Sequence, residues 1–256
     1  VLCEKSGTVW ITTYDGLNRV NISQKPFKKY LFGNIAFIVK GINNKVWINR
    51  PKGSDKLDPM TGKIIHYDFI EEDYEILKED EKGNLWIAKR KGGLFKRDKQ
   101  GKITNYFSSD GKIFRSAVDV IYITSDNVIW VGTNVDGLYY VNPSTRKLIK
   151  VKIPSNNIND IYEDSFGLLW VGTSMRGLYS YDRKLDLVKS YTFDLNNPSS
   201  ISGQSVLDIH EDKNRTLWFS TNTGLNKFNR STGMFTHFTE KDGLPSDAVF
   251  TVLEDD

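Results

Sequence analysis

Few residues in this sequence have the types and spacing that catalysis requires. The chain contains one cysteine, Cys3, and three histidines, which leaves little for a metal site or for a nucleophile paired with a base. Phosphate-binding glycine-rich loops, the G-x-S-x-G nucleophile turn and the H-E-x-x-H zinc motif are all missing from the sequence. We therefore predict that this segment is not an enzyme, with no catalytic residue, no bound metal and no cofactor.

Basic residues give a clearer indication of binding chemistry. Arg50 and Lys89 each stand three residues after a tryptophan, and Arg90 follows Lys89 directly. After four other tryptophans the same position holds a threonine, at Thr13, Thr133, Thr173 and Thr221. Two neighbouring cations repel each other unless they are solvated or opposed by an anion. The pair is a candidate contact for an anion or an acidic sugar, with exposed surface decoration as the alternative.

Composition excludes several classes of protein. The chain has 256 residues and a net charge of +3, from 35 basic and 32 acidic side chains that are interspersed along it. It contains no apolar run of the length that a membrane span needs. A single cysteine excludes a disulfide within the chain. We expect no nucleic-acid partner, because no dense stripe of basic and aromatic residues occurs.

The tryptophans mark an internal repeat. They stand at residues 10, 47, 86, 130, 170 and 218, at intervals of 37, 39, 44, 40 and 48 residues. Each follows an aliphatic residue and precedes Ile, Val or Phe, and the residue nine positions earlier is always aliphatic. In five units a Gly-Leu pair follows six to eight residues later, and a further turn leads to a fourth short run. Each unit therefore predicts four short strands joined by tight turns.

A lone four-stranded sheet cannot bury both faces, so the units must pack against one another. We predict an all-β β-propeller of four-stranded antiparallel blades, with six Trp-centred repeats and the start of a seventh, as part of a seven-bladed propeller. A β-sandwich is the competing fold, but it does not repeat one Trp-centred unit six times. The predicted blades span residues 1–31, 34–70, 73–108, 117–154, 157–195 and 205–240, and 248–256 is predicted as the first strand of the next. The phase of the two ends predicts a fragment of a longer array.

The histidines and the recurring acidic pairs fit structural roles within these units. His66 and His237 each follow a turn glycine by four residues, which places both at one repeat position on an outer strand. His210 falls on an inner strand, where a core or channel-lining role is expected. Acidic pairs such as Glu163-Asp164 recur just before a turn, where a carboxylate can accept hydrogen bonds from turn amides.

Two segments resemble a known repeat. Residues 167–182 (GLLWVGTSMRGLYSYD) and 241–255 (KDGLPSDAVFTVLED) are similar to the two-component regulator propeller repeat, and the resemblance extends over essentially the whole chain. It implies the extracytoplasmic sensor region of Bacteroides-type hybrid two-component systems. Such a region has two tandem seven-bladed propellers and a small β-sandwich, followed by one membrane span and by cytoplasmic histidine kinase and regulator domains. It also implies a periplasmic location, with a membrane contact only through a span outside this segment.

The resemblance leads to a functional hypothesis. It implies a non-catalytic domain that binds an oligosaccharide and signals to a kinase domain elsewhere in the polypeptide, as a homodimer in the full-length receptor. The candidate ligand contacts lie in the loops on the side of the Gly-Leu turns: Tyr14, Arg50, Lys89, Arg90, Arg115, Asp136 and Arg176. Tyrosine faces there could stack on sugar rings while charged groups bond hydroxyls or carboxylates.

Two alternatives belong to other classes. One is a propeller enzyme, such as a polysaccharide lyase or a glycosidase, working at the central channel. Against it, no constellation of His, carboxylate and Arg breaks the repeat at inner-strand positions. The other is a platform for protein interactions, which the residues neither favour nor exclude.

Overall fold

The computed structural model describes residues 2–4, 8–13, 16–21, 24–30, 35, 37–50, 53–67, 74–89, 92–108 and 116–252. The chain forms two compact units, one of residues 1–90, 96–103 and 253–256 and the other of residues 91–95 and 104–252. Strands dominate the described residues, with two short 3₁₀ turns at Ile42–Asn44 and Glu240–Asp242. Among these residues, no helix has the length and apolarity that crossing a membrane requires.

Six groups of four consecutive strands follow one another along the chain, numbered here sheet 1 to sheet 6. Sheet 1 contains β1 to β4 at Leu2–Glu4, Thr8–Thr13, Gly16–Asn21 and Gln24–Tyr30, and sheet 2 contains β5 to β8 at Phe37–Lys40, Val46–Asn49, Ser54–Leu57 and Ile64–Tyr67. Sheet 3 contains β9 to β12 at Tyr74–Glu79, Leu85–Lys89, Leu94–Arg97 and Ile103–Ser108, and sheet 4 contains β13 to β16 at Val118–Ile123, Ile129–Thr133, Leu138–Asn142 and Lys147–Lys150. Sheet 5 contains β17 to β20 at Ile158–Glu163, Leu169–Thr173, Leu178–Asp182 and Leu187–Tyr191, and sheet 6 contains β21 to β24 at Val206–Glu211, Leu217–Thr221, Gly224–Asn229 and Met234–Phe238.

Strands pair with their neighbours in chain order within each sheet, and the register places each tryptophan on the second strand. In sheet 5, for example, Trp170 lies opposite Tyr162 on the inner side and Ser180 on the outer side, in antiparallel pairing. The all-β class and the four-stranded antiparallel sheets are confirmed. The number of blades in the complete propeller stays a prediction.

One pairing departs from the predicted separation of the blades. The outer strands β12 and β16 pair in parallel through Phe107 with Lys147 and Ser108 with Leu148. The outer strand of such a sheet is an edge, so its amide and carbonyl groups on one side have no partner within the sheet. Here the edge of β16 is partly paired by the end of β12.

The repeated tryptophan has a hydrogen-bonding role that accompanies its burial. Trp170 is 1% exposed, and its indole nitrogen donates to Asp164 Oδ2 at 2.8 Å, six residues earlier. The same contact joins Trp86 to Asp80 at 3.0 Å and Trp218 to Asp212 at 2.9 Å. The other oxygen of each aspartate accepts amides of the first turn, as at Leu168 N for Asp164. Recurring aspartates at this position are therefore structural.

Hydrogen bonds of this kind affect the ionisation of the aspartate. Burial raises the pKa of Asp212, but hydrogen bonds from the Trp218 indole and the Thr216 and Asn214 amides outweigh burial and leave that pKa below its ordinary value. A lowered folded-state pKa contributes stability above the unfolded-state pKa, and the contribution is lost as the pH falls through the folded-state value.

Sheets 5 and 6 pack through a shared apolar core. Trp170 from sheet 5 contacts Phe219 and Phe228 of sheet 6, with ring centroids 5.3 and 5.2 Å apart. The cluster also contains these buried residues: Leu178, Ile201, Val206, Ile209, Leu217 and Phe235. A corresponding cluster around Trp130, Ile161 and Val171 joins sheets 4 and 5.

A glycine two residues after the tryptophan allows this close approach in sheet 4. A Cβ on Gly132 would lie 2.5 Å from Val120 Cγ1 and 2.6 Å from Ile158 Cγ2, and both neighbours are stiff β-branched side chains. We expect Gly132→Ala to lower the free energy of unfolding by about 1–3 kcal/mol through overpacking, measured by urea denaturation. Ser220 occupies the equivalent position in sheet 6, so Ser220→Ala is the control and should have little effect. Equal stability of Gly132→Ala and wild type would contradict the packing.

The residues after sheet 6 dock in a repeated way without forming a described strand. Val252 N donates to Asp208 Oδ2 at 2.7 Å, just as Ile209 N donates to Asp160 Oδ2 at 2.9 Å one sheet earlier. Residues 248–252 have no strand pairing, and residues 253–256 lie outside the described residues. The prediction that 248–256 begins a further blade stays a prediction.

Candidate functional site

A threonine that bonds both ends of the turn recurs in the second turn of sheets 4, 5 and 6, although this turn has four residues in sheets 4 and 5 and two in sheet 6. The Thr173 hydroxyl donates to Gly177 O at 2.8 Å and accepts the amide of Arg176 at 3.1 Å. Thr133 makes the same pair of contacts with Gly137 O and the Asp136 amide, and Thr221 makes them with Gly224 O and the Thr223 amide. This explains why threonine recurs three residues after tryptophan.

The residues held within this frame differ from sheet to sheet. They are 134–136 in sheet 4 (NVD), 174–176 in sheet 5 (SMR) and 222–223 in sheet 6 (NT), and we call these segments the variable turns. Val135 and Met175 occupy one repeat position and are 62% and 74% exposed. A fixed backbone frame that presents different exposed side chains is the arrangement by which many scaffolds build binding surfaces.

Each of two predicted ligand contacts in the variable turns lies near a tyrosine. Asp136 accepts a hydrogen bond from the Ser116 hydroxyl. Burial raises the pKa of Tyr139, and the Asp136 carboxylate raises it further. Burial also raises the pKa of Tyr179, whereas the Arg176 guanidinium lowers it. Arg176 is exposed and forms no ion pair with any described residue.

The two tyrosines were missed by the sequence reasoning. A signal was available, because Tyr139 and Tyr179 both follow a Gly-Leu pair directly. Tyr139 is partly exposed and Tyr179 is buried, so Tyr139 can offer the larger ring surface to a ligand.

Arg50 is held within its own sheet. Its Nε lies 2.7 Å from Asp55 Oδ2, and His66 Nδ1 lies 2.6 Å from Asp55 Oδ1. Arg50 also contacts the His66 ring nitrogen, at 3.1 Å. Lys89 is the last residue of β10 and is partly buried. The predicted convergence of Arg50 and Lys89 on one ligand stays a prediction, and Tyr14, Arg90 and Arg115 lie outside the described residues.

The role of Arg50 alters the expected effect of its replacement. Since four other units carry threonine there, the sequence predicts that the double change Arg50→Thr and Lys89→Thr hardly changes stability. The structure indicates otherwise for Arg50. Asp55 is only 3% exposed, and replacing Arg50 by threonine would remove the guanidinium that pairs with its buried carboxylate and leave the His66 ring beside it. We expect Arg50→Thr to lower the free energy of unfolding by about 1–3 kcal/mol at neutral pH.

Urea denaturation measures this effect, with Lys63→Thr as the control. Lys63 is an exposed cation of the same sheet, and none of the ion pairs between described residues includes it. Equal stability of Arg50→Thr and Lys63→Thr would show that the Arg50 contact contributes nothing.

Consecutive four-stranded antiparallel sheets, each with a tryptophan on its second strand, define the β-propeller class. The family model described as two component regulator propeller matches residues 152–175 and 200–223. Both segments begin in the connection after one sheet and run through the first two strands of the next sheet into its variable turn. The predicted two-component regulator propeller repeat is therefore confirmed in these two segments. No curated protein matches the chain in sequence.

Solved structures share this fold at low sequence identity. The extracellular domain of BT4673 from B. thetaiotaomicron, described as a hybrid two-component system, superposes with a TM-score of 0.77 at 21% identity, over 99% of this chain and 35% of that one. The extracellular domain of BT3049 from the same organism superposes with a TM-score of 0.67 at 21% identity, over 98% of this chain and 41% of that one. A chain of the mitotic checkpoint complex gives 0.73 at 11% identity, over 97% of this chain and 78% of that one. This chain thus spans about a third of the BT4673 domain, and the likeness shows the fold alone.

Proposed function

We propose that this chain is part of the extracytoplasmic, ligand-sensing region of a hybrid two-component sensor histidine kinase in the periplasm. The observation that carries the proposal is the pair of two-component regulator propeller repeats at residues 152–175 and 200–223. The fold shared with extracellular domains from B. thetaiotaomicron supports it. In this proposal the membrane span, the kinase domain and the homodimer contacts belong to parts of the parent protein outside this segment.

The proposed ligand is an oligosaccharide that contacts the variable turns. A sugar ring combines apolar C–H faces with hydroxyl groups, so it suits a surface on which apolar and charged side chains alternate. Met175 offers apolar surface beside the Arg176 guanidinium, and Val135 does so beside the Asp136 carboxylate. Charge-assisted hydrogen bonds from Arg176 would favour a ligand that carries a carboxylate or several hydroxyls. The segment acts without a cofactor and without turnover of the sugar.

Replacing Arg176 tests the ligand surface. A glycan array first identifies the sugar that the chain binds, and titration calorimetry then compares wild type with Arg176→Gln. We expect binding to weaken about 5-fold to 150-fold, the effect of losing one charge-assisted hydrogen bond of about 1–3 kcal/mol. Arg146→Gln is the matched control, because Arg146 is exposed in the third turn of sheet 4, at the opposite ends of the strands. Equal affinity of both variants and wild type would contradict the role of the variable turns.

Two further results separate this proposal from its alternatives. Lys89→Thr tests the predicted basic pair while leaving the contact of Arg50 with Asp55 in place, and an acidic sugar should bind this variant more weakly. Chromatography of the bound sugar after long incubation should show it intact, whereas shortened products would indicate a lyase or a glycosidase. Binding to no glycan on the array would contradict sugar sensing.

A further inference from the structure

The strand ends opposite the variable turns carry a second feature, within the unit of residues 91–95 and 104–252. Because the strands are antiparallel, the first and third turns of a sheet lie at one end and the second turn at the other. A cavity of about 480 Å³ lies between the first turn of sheet 4, at Ser125 and Asp126, and the first and third turns of sheet 5. Sheet 5 contributes Phe166 from its first turn, and Asp182 and Arg183 from its third.

The charged wall of this cavity is built by a network of hydrogen bonds. Arg183 donates to both oxygens of Asp126 at 3.0 Å and to Glu163 Oε1 at 2.6 Å. Glu163 also accepts the Ser125 amide at 2.6 Å, which ties sheet 5 to the first turn of sheet 4. The Thr124 hydroxyl donates to Asp126 Oδ1 at 2.6 Å. Burial raises the pKa of Asp126, but the bonds from Thr124 and Arg183 outweigh burial and leave that pKa below its ordinary value.

The opposite wall is apolar. Phe166 is 65% exposed, and it lines the cavity together with Leu168. Ring surface that is left in water costs free energy, which a ligand with an apolar face would recover. The ring is held in place by cations, since the Arg230 and Arg215 guanidinium groups lie 4.9 and 5.9 Å from its centroid.

We infer that this cavity binds one residue or two of a neutral sugar, with a C–H face on Phe166 and hydroxyl groups toward Asp126, Asp182 and Lys184. A small anion fits poorly, because Nη1 and Nη2 of the Arg183 guanidinium already form ion pairs with Asp126 and Glu163. An organic cation fits poorly beside a ring that already has two guanidinium groups close to it. This site goes beyond the proposed function and does not depend on it, because it lies at the other ends of the strands from the variable turns.

The chain itself suggests a variant that blocks the cavity without disturbing the turn. Gly167 lines the cavity with φ at +78°, and no atom lies within 4 Å of a Cβ built there. Asn127 occupies the equivalent turn position in sheet 4 with φ at 62°, so an asparagine is already accommodated in this backbone conformation. Gly167→Asn therefore places an amide side chain in the cavity while the turn is kept.

Saturation-transfer NMR tests the inference with cellobiose, maltose and lactose as probes and with acetate, tetramethylammonium and leucine as charged comparators. At least one disaccharide should bind with a Kd on the order of 1 mM. Phe166→Ala should weaken that binding about threefold to tenfold, the range for losing one aromatic contact. Gly167→Asn should remove it, whereas Leu195→Ala, which changes a leucine that is 85% exposed in the connection to sheet 6, should not.

The outcomes separate this site from the proposed one. Binding that Gly167→Asn removes and Arg176→Gln leaves unchanged places a sugar in the cavity, whether or not the variable turns bind anything. The inference is overturned if no disaccharide binds, if Gly167→Asn, shown by urea denaturation to be folded, binds like wild type, or if a charged comparator binds in preference to all three sugars.

Discussion

We expect Trp170→Ala to lower the free energy of unfolding by about 3–5 kcal/mol, the range for removing a large buried aromatic side chain. Trp170 is 1% exposed, and its ring lies against Phe219 and Phe228 of sheet 6 and 5.6 Å from Tyr191 of its own sheet. The change thus leaves a cavity between two sheets and also removes a donor to Asp164. Urea denaturation followed by tryptophan fluorescence and by circular dichroism measures the loss.

Two variants calibrate this result. Met175→Ala removes an apolar side chain that is 74% exposed in a neighbouring turn, and it should change stability by less than about 0.5 kcal/mol. Trp170→Phe keeps much of the ring volume but loses the indole N–H, so it should fall between wild type and alanine. A loss below about 1 kcal/mol for Trp170→Ala would show that the sheets do not pack through this residue.

The second large effect is expected for Asp164→Ala, which should lower the free energy of unfolding by about 2–4 kcal/mol in the same urea denaturation experiment. The Asp164 side chain is fully buried, and its Oδ2 pairs with Arg230 Nη1 at 2.6 Å in addition to accepting the Trp170 indole N–H. It also accepts the amides of Phe166 and Leu168, both at 3.0 Å. Removal leaves a buried indole donor, a guanidinium and a turn without their acceptor.

Sheet 4 allows the converse experiment. Thr124 occupies the place of the aspartate there, and the Trp130 indole nitrogen is buried without a hydrogen-bond partner among the described residues. We expect Thr124→Asn to raise the free energy of unfolding by about 0.5–1.5 kcal/mol, because its amide oxygen supplies the missing acceptor without placing a second carboxylate beside Asp126. Thr124→Val is the control, since it supplies none. If Asp164→Ala proves neutral, or if Thr124→Asn destabilises as much as Thr124→Val, then the bond from the tryptophan to this acceptor position is not a source of stability in these sheets.

The two proposed binding surfaces differ in how they relate to this scaffold. The variable turns lie within the frame made by Thr133 and Thr173, so their side chains can change without loss of the turn. The cavity wall is different, because Glu163 both lines the cavity and bonds the neighbouring sheet. Variants such as Gly167→Asn are therefore more informative there than changes to the ion pairs.

Much of the local structure followed from the sequence alone. The tryptophan spacing predicted a strand at each of the six positions, and the second strand of each sheet contains that tryptophan. The acidic pair before the turn predicted hydrogen bonds to turn amides, and Asp164 accepts two. These features depend on residues within about ten positions of one another, where turn chemistry and alternation decide the conformation.

Only the tertiary structure decided which distant groups meet. Repeat position alone made Arg50 a ligand contact with no structural role, but strand pairing within sheet 2 brings it to Asp55 and His66. Packing between sheets 4 and 5 brings Arg183 to Asp126, 57 residues away in the chain. In the same way, the parallel contact of β12 with β16 depends on the approach of two strands about 40 residues apart in the chain. The cavity beside Phe166 depends on the close packing of sheets 4 and 5. A repeat fixes what each position offers within its own sheet, whereas packing between sheets decides which side chains lie within hydrogen-bonding distance and which remain open to a ligand.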